Sequence, residues 1–375
     1  MSSRRKVLVI ASLAESLAGF RAPLLRAMAM RGHSVIACAP SADAATRSSL
    51  AEIGVAYREV PIDRAGLNPA RDLQFMVALY RIIADTTPEV VLTYTAKPVI
   101  YGSLVARLAG VPAIFSMMTG LGYGFAGSGV KASLIGVLLR QLYRMGLRNS
   151  RAVFFQNPDD ERLFRELALL RGSTRSVLVN GSGIDLAAFR PVPFPPEISF
   201  LMIARLISLK GVHDYAKAAE IVRSRHADVP FRLAGWIDNT PDAIREQDLR
   251  RWVDSGILEF LGKLDDVRPA LAAASVYVLP SYREGTPRTV LEAMAMGRPI
   301  VTTDAPGCRE TVRHGCNGFL VPVSDPAALA DALERFIRSP SLLEGMGRAS
   351  RQIAVEKYDV DDVNAVMLSE MGLSA

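Results

Sequence analysis

Two glutamates, eight positions apart, stand out as side chains that could hold a sugar nucleotide. Glu284 follows a buried strand that ends at Pro280, and Glu292 lies in a helix whose first turn contains Pro287. The free N–H groups at such a helix start can hold a diphosphate, and carboxylates accept paired hydrogen bonds from sugar or ribose hydroxyls. On their own, however, two glutamates are more typical of a loop acid and a solvated helix acid.

The elements that must position these side chains follow from the pattern of apolar residues. Short apolar, β-branched runs alternate with stretches of helical period along the whole chain. Continuous apolar runs are typical of strands buried on both faces, so we predict parallel sheets covered by helices. The predicted strands are Val7–Ser12, Ser34–Ala39, Val90–Thr95, Ala113–Met118, Ala152–Gln156, Ser176–Val179, Ile198–Ile203, Phe231–Ala234, Leu258–Leu261, Val276–Leu279 and Ile300–Thr303.

A proline-rich segment divides this series of strands. The chain has 375 residues, which predicts two domains at ~100–200 residues each. Four prolines between Pro191 and Pro196 are typical of a stiff connector. We therefore predict an α/β protein of two doubly wound domains that face each other across a cleft. The expected N-terminal domain covers 1–190 and the C-terminal domain 191–355, and a last helix within 356–375 returns to the first domain.

The charge is distributed unevenly between the two halves. Residues 1–190 hold 23 Lys and Arg against 13 Asp and Glu, whereas the remainder holds 21 against 25. No acid occurs in the 69 residues between Glu89 and Asp159. A basic first half favours an anionic partner, which could be nucleic acid or anionic lipid. Aromatic residues are sparse among these cations, which disfavours nucleic acid.

Composition and motifs exclude several classes of protein. Three cysteines without a CxxC pair form neither a disulfide scaffold nor a zinc site, and they favour a reducing cytosol. The longest charge-free window, 108–130, holds too many glycines for a membrane span. The basic start 4–6 imitates a signal peptide, but the apolar run after it is short and fits a first core strand. The glycine spacing at 122–127 matches a dinucleotide-binding fingerprint. This segment follows a late strand, however, and no acid that could bind a ribose lies within ~20 residues downstream, which disfavours a dehydrogenase.

The residues around Glu284 form a longer pattern. Pro280-Ser-x-x-Glu284-Gly, followed eight residues later by Glu292, resembles the donor-site signature of glycosyltransferase family 4. Further segments look like other elements of that family in the same order, namely Asn180–Asp185, Ile203–Gly211, Thr302–Glu310 and Gly315–Pro322. The resemblance implies the GT-B fold, with the acceptor mainly on the first Rossmann-like domain and the nucleotide sugar mainly on the second. It also implies that Glu284 holds the donor sugar and Glu292 the ribose, with Gly285 and Thr286 in the same donor site.

The resemblance extends to two cations and a glycine. Arg205 and Lys210 resemble the pair that holds the donor diphosphate, and together with Glu284 they are the expected catalytic residues. Fixed cations stabilise the negative charge on a leaving diphosphate, although a surface ion pair is the ordinary alternative. Gly19, after the first strand, would let the first domain approach this diphosphate. No metal is expected, because the Asp-x-Asp at 359–361 lies far in sequence from every donor element.

Two segments of the first half narrow the resemblance. Thr93–Ser103 and Thr119–Phe125 look like a branch of the family that builds polyprenyl-diphosphate-linked oligosaccharides for bacterial glycans. The acceptor-binding residues implied by this resemblance are Lys97, Tyr101, Thr119, Gly120 and Tyr123. Many family members carry a histidine before the glycine of the acceptor loop, but this chain has Thr119, so no histidine base is predicted. The resemblance implies a retaining reaction, in which a donor phosphate oxygen can take the acceptor proton.

The sequence from Lys131 to Arg148 predicts a basic amphipathic helix. Arg140, Arg144 and Arg148 recur every four residues, and leucines and an isoleucine fill another face. Such a helix is often an ordinary domain helix with a solvated face. With a lipid-diphosphate acceptor implied, docking of Lys131 and these arginines on an anionic membrane is an equal alternative.

The predicted protein is a retaining glycosyltransferase, cytoplasmic and peripheral on the inner face of the cell membrane. It is expected to move a sugar, an N-acetylhexosamine, from a UDP-sugar to a polyprenyl-diphosphate-linked saccharide. No cofactor and no nucleic-acid partner are expected. The alternatives are a glycosyltransferase with a soluble acceptor, a sugar-nucleotide epimerase of the same fold, and a sugar-nucleotide-binding protein without catalysis.

Overall fold

Two units, each built on its own parallel sheet, account for the chain. The computed structural model describes residues 4–63, 68–120, 130–238 and 240–374, without the side chains of 130–135. Unit 1 comprises Met1–Ser182 and Asp361–Ala375, and unit 2 comprises Gly183–Val360.

Unit 1 contains a seven-stranded parallel sheet in the order β3-β2-β1-β4-β5-β6-β7. Its strands are β1 (Lys6–Ile10), β2 (Ser34–Ala39), β3 (Val55–Glu59), β4 (Val90–Tyr94), β5 (Ala113–Met118), β6 (Ala152–Phe155) and β7 (Arg175–Leu178). Its first seven helices are α1 (Ala14–Ala18), α2 (Ala22–Met30), α3 (Ala44–Glu52), α4 (Pro69–Thr86), α5 (Ser103–Leu108), α6 (Val130–Leu147) and α7 (Pro158–Glu166). Alternate residues of β1 point to opposite faces. Val7 and Val9 pack with α1 to α3, whereas Leu8 and Ile10 pack with α4 and α5.

Unit 2 contains a six-stranded parallel sheet in the order β10-β9-β8-β11-β12-β13. Its strands are β8 (Phe200–Leu206), β9 (Phe231–Ile237), β10 (Glu259–Phe260), β11 (Val276–Leu279), β12 (Ile300–Thr303) and β13 (Gly318–Val321). Its helices are α8 (Val212–Arg223), α9 (Glu246–Asp254), α10 (Arg268–Ala272), α11 (Arg288–Ala295), α12 (Pro326–Arg338) and α13 (Leu342–Tyr358). The strands β8, β11 and β12 are buried almost throughout, which agrees with a sheet covered on both faces.

The two units divide between Ser182 and Gly183, ahead of the proline-rich segment that the sequence favours as the boundary. The reason lies in backbone pairing near Ile184. Its N–H donates to the carbonyl of Tyr358 at 2.7 Å, and its carbonyl accepts from the N–H of Val360 at 3.1 Å. The segment before the prolines is thereby attached to unit 2. The last helix, α14 (Val360–Met371), contributes Met367, Leu368 and Met371 to the core of unit 1.

Candidate active site

The candidate donor site lies where the strand order of unit 2 reverses direction. The strands β8 and β11 are neighbours at the centre of the sheet, and their onward connections run to opposite sides. In open α/β sheets, ligands bind outside the carboxyl ends of strands at such a switch point. The loop after β8 carries Lys210 in a short 3-10 turn, and the loop after β11 carries Glu284.

An ion pair joins these two loops. The ammonium of Lys210 donates to Oε1 of Glu284, and the two side chains are only 20% and 10% exposed. The backbone beside the pair is also connected, because the carbonyl of Leu209 accepts from the N–H of Tyr282 at 2.9 Å and from the Ser281 hydroxyl at 3.0 Å. The cation expected to bind phosphate and the acid expected to bind the sugar are therefore in direct contact.

The loop after β12 packs closely against the backbone of Glu284. The N–H of Glu284 donates to the carbonyl of Pro306 at 2.9 Å. Gly307 has φ +80°, and a Cβ there would lie 2.2 Å from the carbonyl oxygen of Glu284. Only glycine fits this position without moving Glu284, because any other side chain would clash with backbone and strain the left-handed conformation.

Arg205, near the end of β8, also has an acidic partner. Its guanidinium lies 2.7 Å from the carboxylate of Asp238, which directly follows the neighbouring strand β9. A donor diphosphate would offer oxygens that compete with this carboxylate. Asp238 was not singled out by the sequence, where the predicted strand Phe231–Ala234 ends four residues before it, whereas β9 extends to Ile237.

Glu292 is buried in α11 and is therefore not the solvated helix acid that two glutamates alone would favour. Its carboxylate accepts from Nε of Arg288 at 2.8 Å. Burial raises the pKa of Glu292 above its ordinary value, while the positive charge of Arg288 opposes that rise. The helix begins at Arg288, so Pro287 immediately precedes it instead of lying in its first turn, and Gly285 and Thr286 belong to the loop before it.

In unit 1, the predicted acceptor residues Lys97 and Tyr101 both lie near one carboxylate. Nζ of Lys97 lies 2.5 Å from Oδ1 of Asp72, and burial together with the charge of the same carboxylate raises the pKa of Tyr101. Both predicted residues lie just beyond β4, which neighbours β1 at the switch point of this sheet. Asp72 lies on α4, and no motif of the sequence pointed to it.

The other predicted residues of unit 1 are placed separately. Thr119 and Gly120 directly follow β5, and Gly19 follows α1, where its N–H donates to the carbonyl of Glu15 at 2.8 Å. Tyr123 lies outside the described residues. The side chain of Lys131 is likewise outside them, although its backbone is part of α6.

The structure gives the basic residues of α6 different surroundings. Arg144 donates from Nε to the carbonyl of Ala168 at 2.8 Å and from Nη2 to that of Leu167 at 2.9 Å, so it caps the end of α7. Arg148 is exposed and Arg140 is half-buried. No helix within the described ranges combines the length and the apolar character that a bilayer crossing needs.

Models of known protein families match the two units separately. The model described as a glycosyl transferase 4-like domain matches residues 21–181, and the model of glycosyl transferases group 1 matches residues 197–339. The chain therefore belongs to the glycosyltransferases, with the 4-like domain in unit 1 and the group 1 domain in unit 2. The predicted enzyme class, a transferase of sugars, is confirmed.

Individual relatives cover nearly the whole chain. It is 26% identical over 358 residues, 92% of each chain, to the N,N'-diacetylbacillosaminyl-diphospho-undecaprenol alpha-1,3-N-acetylgalactosaminyltransferase of Campylobacter jejuni. It is 25% identical over 321 residues to the UDP-Gal:alpha-D-GlcNAc-diphosphoundecaprenol alpha-1,3-galactosyltransferase of Escherichia coli, covering 80% of this chain and 79% of the relative.

Solved structures share the architecture at low sequence identity. Sucrose-phosphate synthase from Thermosynechococcus elongatus superposes with a TM-score of 0.81 at 18% identity, covering 98% of both chains. HepE of Anabaena in complex with UDP-glucose gives a TM-score of 0.78 at 18% identity, covering 98% of this chain and 100% of that chain. The GT-B fold predicted from the sequence is confirmed.

Proposed function

We propose that this glycosyltransferase moves an N-acetylhexosamine from a UDP-sugar to a polyprenyl-diphosphate-linked saccharide, with retention of configuration. The observation that carries the proposal is the contact between Lys210 and Glu284 at the switch point of unit 2. The names of both relatives above specify diphospho-undecaprenol-linked sugars, and HepE was solved with UDP-glucose. These names support the choice of donor and acceptor.

Each donor-site residue has a distinct role in this reaction. Arg205 and Lys210 hold the diphosphate and stabilise the charge that grows on it as its bond to the sugar C1 breaks. Glu284 holds the donor sugar, and Glu292 holds the ribose. The acceptor oxygen bonds to C1 on the face that the diphosphate leaves, and its proton passes to a donor phosphate oxygen. This route requires no side-chain base.

A donor screen tests the proposal against its alternatives. UDP release is measured for each UDP-sugar with and without a short-chain polyprenyl-diphosphate-linked N-acetylhexosamine. We expect release with a UDP-N-acetylhexosamine only when this acceptor is present. Release with soluble sugars instead would indicate a soluble acceptor, and interconversion of UDP-sugars would indicate an epimerase. Tight UDP binding without any turnover would indicate a binding protein.

We also propose that the transfer needs no metal ion, because Arg205 and Lys210 supply the positive charge. Within the described ranges, no group of three or more His, Cys, Asp or Glu side chains is arranged to hold a metal ion. Turnover in EDTA should therefore equal turnover in Mg²⁺. A strict requirement for Mg²⁺ would contradict this assignment of the two cations.

The proposed membrane surface lies on the helices that cover one face of the unit 1 sheet. Three apolar side chains of α6, Val137, Leu138 and Met145, are exposed next to Arg140 and Arg148. The helix α4 covers the same face and exposes Leu73, Val77 and Tyr80. Apolar and basic side chains on one surface suit an anionic leaflet, where each cation adds ~1 kcal/mol. We infer peripheral attachment on the cytoplasmic side of the membrane.

Charge reversal on α6 tests this surface. Arg140→Glu with Arg148→Glu should abolish sedimentation with phosphatidylglycerol vesicles, because repulsion replaces attraction. Arg26→Glu with Arg31→Glu is the matched control, since Arg26 lies in α2 and Arg31 directly follows it, on the opposite face of the sheet. Wild-type binding should weaken as salt rises. Unchanged binding of the α6 variant would show that α6 is an ordinary domain helix.

A further inference from the structure

A buried carboxylate in unit 1 lies outside every motif that the sequence singled out. Asp72 is 11% exposed and contacts Lys97, which is 12% exposed, at 2.5 Å. Tyr101 lies near enough for the charge of Asp72 to reinforce burial in raising the pKa of its hydroxyl. Asp72 therefore lies beside two side chains that come from a different element of the unit.

The start of α4 fixes the position of Asp72. The helix begins at Pro69, and the side chain of Asn68 accepts hydrogen bonds from the N–H groups of Ala70 and Arg71. This cap places Asp72 in the first turn, where the positive end of the helix dipole favours a carboxylate.

The backbone that carries Lys97 and Tyr101 is irregular. Thr95, directly after β4, has φ +71°, which is costly for a β-branched residue. A π-helical turn, Pro98–Gly102, follows Lys97. Both features are rare and concentrate at functional sites. Here the irregular backbone places Lys97 and Tyr101 near the same carboxylate, that of Asp72.

Lys97 and Tyr101 have different numbers of hydrogen-bond donors, which indicates different roles for the two side chains. A lysine ammonium has three donors, so Lys97 keeps two for a ligand after it donates to Asp72. Tyr101 has one donor. Burial, reinforced by the charge of Asp72, raises the pKa of Tyr101 to about 12, so its hydroxyl stays protonated at neutral pH. The protonated hydroxyl of Tyr101 is therefore a neutral donor near the Asp72 carboxylate.

The geometry points to Asp72 as a positioning residue that holds the ammonium of Lys97 for the diphosphate of the acceptor, with Tyr101 fixing Asp72 in turn. The carboxylate also offsets the cost of burying a cation. This inference rests on the proposed function, since it requires a diphosphate-linked acceptor. It adds a residue of α4 to the acceptor site.

Two acceptors that differ in the diphosphate test the role of Asp72. One is a short-chain polyprenyl-diphosphate-linked N-acetylhexosamine, and the other is an alkyl glycoside of the same sugar. In Asp72→Asn, kcat/KM should fall by about 10–100-fold for the first acceptor, the scale of losing one well-oriented charged contact, and stay within about 2-fold for the second. The KM of the UDP-sugar should not change. Asp85→Asn, an exposed acid of the same helix that faces Arg58 at 3.5 Å, is the matched control.

Further variants keep the test decisive if Asp72→Asn does not fold. Tyr101→Phe removes one hydroxyl and should lower use of the diphosphate-linked acceptor by about 3–10-fold, the scale of one hydrogen bond to a charged group. Asp72→Glu keeps the charge and should retain more of that use than Asp72→Asn. An equal loss with both acceptors, a raised donor KM or no loss at all would overturn the inference.

Chemical labelling separates this inference from the proposed function. The rate at which acetic anhydride modifies Lys97, read by mass spectrometry, should rise severalfold in Asp72→Asn or Tyr101→Phe and stay unchanged in Asp85→Asn. An unchanged rate in both of the first two variants would overturn the role of Asp72. A wild type that ignores the diphosphate-linked acceptor, with the labelling result as expected, would instead contradict the proposed function.

Discussion

Each cation that we propose to bind a diphosphate lies against a carboxylate. Lys97 contacts Asp72, Arg205 contacts Asp238, and Lys210 contacts Glu284. Such pairs hold the cations in place before a ligand arrives, and a phosphate must compete with the carboxylate for their donors. This competition weakens the binding of the diphosphate in the ground state. The negative charge that develops in the transition state, in contrast, meets cations that are already oriented.

The first prediction concerns Glu284. Glu284→Gln keeps the shape of the side chain but removes a charged acceptor from the donor sugar, so turnover should fall by about 10²–10³-fold. Turnover is measured as UDP release at saturating substrates. Glu344→Gln is the control, because this exposed acid of α13 pairs only loosely with Arg348 at 3.4 Å. Near-normal turnover in a folded Glu284→Gln enzyme would remove the assignment.

The second prediction uses the raised pKa of Glu292. Burial raises this pKa above its ordinary 4.5, so the folded state holds the proton more tightly than the unfolded state. The stability that protonation contributes is present below that value and is lost as the pH rises through the folded-state pKa. Glutamine does not titrate. The Tm of Glu292→Gln minus that of the wild type should therefore increase between about pH 4 and about pH 7. A difference that is constant or decreases contradicts the direction of the shift.

At the residue scale, sequence patterns singled out the cations and the signature acids but not the carboxylates Asp72 and Asp238 that contact two of the cations. Lys210 and Glu284 belong to one long pattern, so each was noticed with the other. Asp72 and Asp238 are single acids, which are common in any surface helix or loop. Their roles depend on which elements the fold places side by side, and a local pattern does not contain that information.

At the scale of elements, most strands were predictable from runs of apolar residues, whereas the edge strands β3 and β13 were not. Five predicted strands of continuous apolar residues agree with the structure to within one residue at either end in the first unit, including β2 and β5. The edge strand β3 was missed because it exposes much of its sequence, with Ala56, Arg58 and Glu59 all exposed. The short edge strand β13 was noticed only through its resemblance to a family segment. A strand such as β3, without burial on both faces, has no continuous apolar run to reveal it.

The third prediction tests how α6 supports the π-helical turn. A Cβ on Gly146 would lie 2.7 Å from the carbonyl oxygen of Ile100 and 2.8 Å from that of Val99. Gly146→Ala should therefore cost ~1–3 kcal/mol by overpacking and lower the Tm. It should also raise the KM of the diphosphate-linked acceptor, because the turn carries Tyr101. An unchanged Tm would show that the two elements can separate freely.

A second helical glycine provides the control for Gly146. Gly345 in α13 has no atom within 4 Å of an added Cβ. Gly345→Ala should leave the acceptor KM unchanged and stabilise the helix by up to ~1 kcal/mol, because alanine favours helix over glycine. Equal effects of both substitutions would point to helix propensity and not to the contact with the turn.

At the scale of the whole molecule, the proposed function assigns donor binding to unit 2 and acceptor binding to unit 1. The fourth prediction follows from that division. Arg205→Ala and Lys210→Ala should weaken the binding of UDP much more than that of uridine, since only UDP carries the phosphates. Lys97→Ala should leave both affinities unchanged. Calorimetry measures each pair, and an equal loss for UDP and uridine would mean that the unit 2 cations are structural.

The number of units was predictable from the chain length, whereas the exact division was not. The prolines at 191–196 suggested a connector, but backbone hydrogen bonds attach Ile184 to the end of α13. A pairing between positions so far apart in the chain leaves no local trace in the sequence. The contact between Asp72 and Lys97 is equally non-local, because the two residues lie on different elements.

The most direct test of the account is the mass and configuration of the product. The enzyme is incubated with a UDP-N-acetylhexosamine and a short-chain polyprenyl-diphosphate-linked N-acetylhexosamine, and the lipid product is examined by mass spectrometry and NMR. The account predicts that the lipid gains one N-acetylhexosamine, that one UDP is released for each sugar transferred, and that the new bond keeps the anomeric configuration of the donor. A lipid that gains no sugar from any UDP-sugar, or a product of inverted configuration, would contradict it.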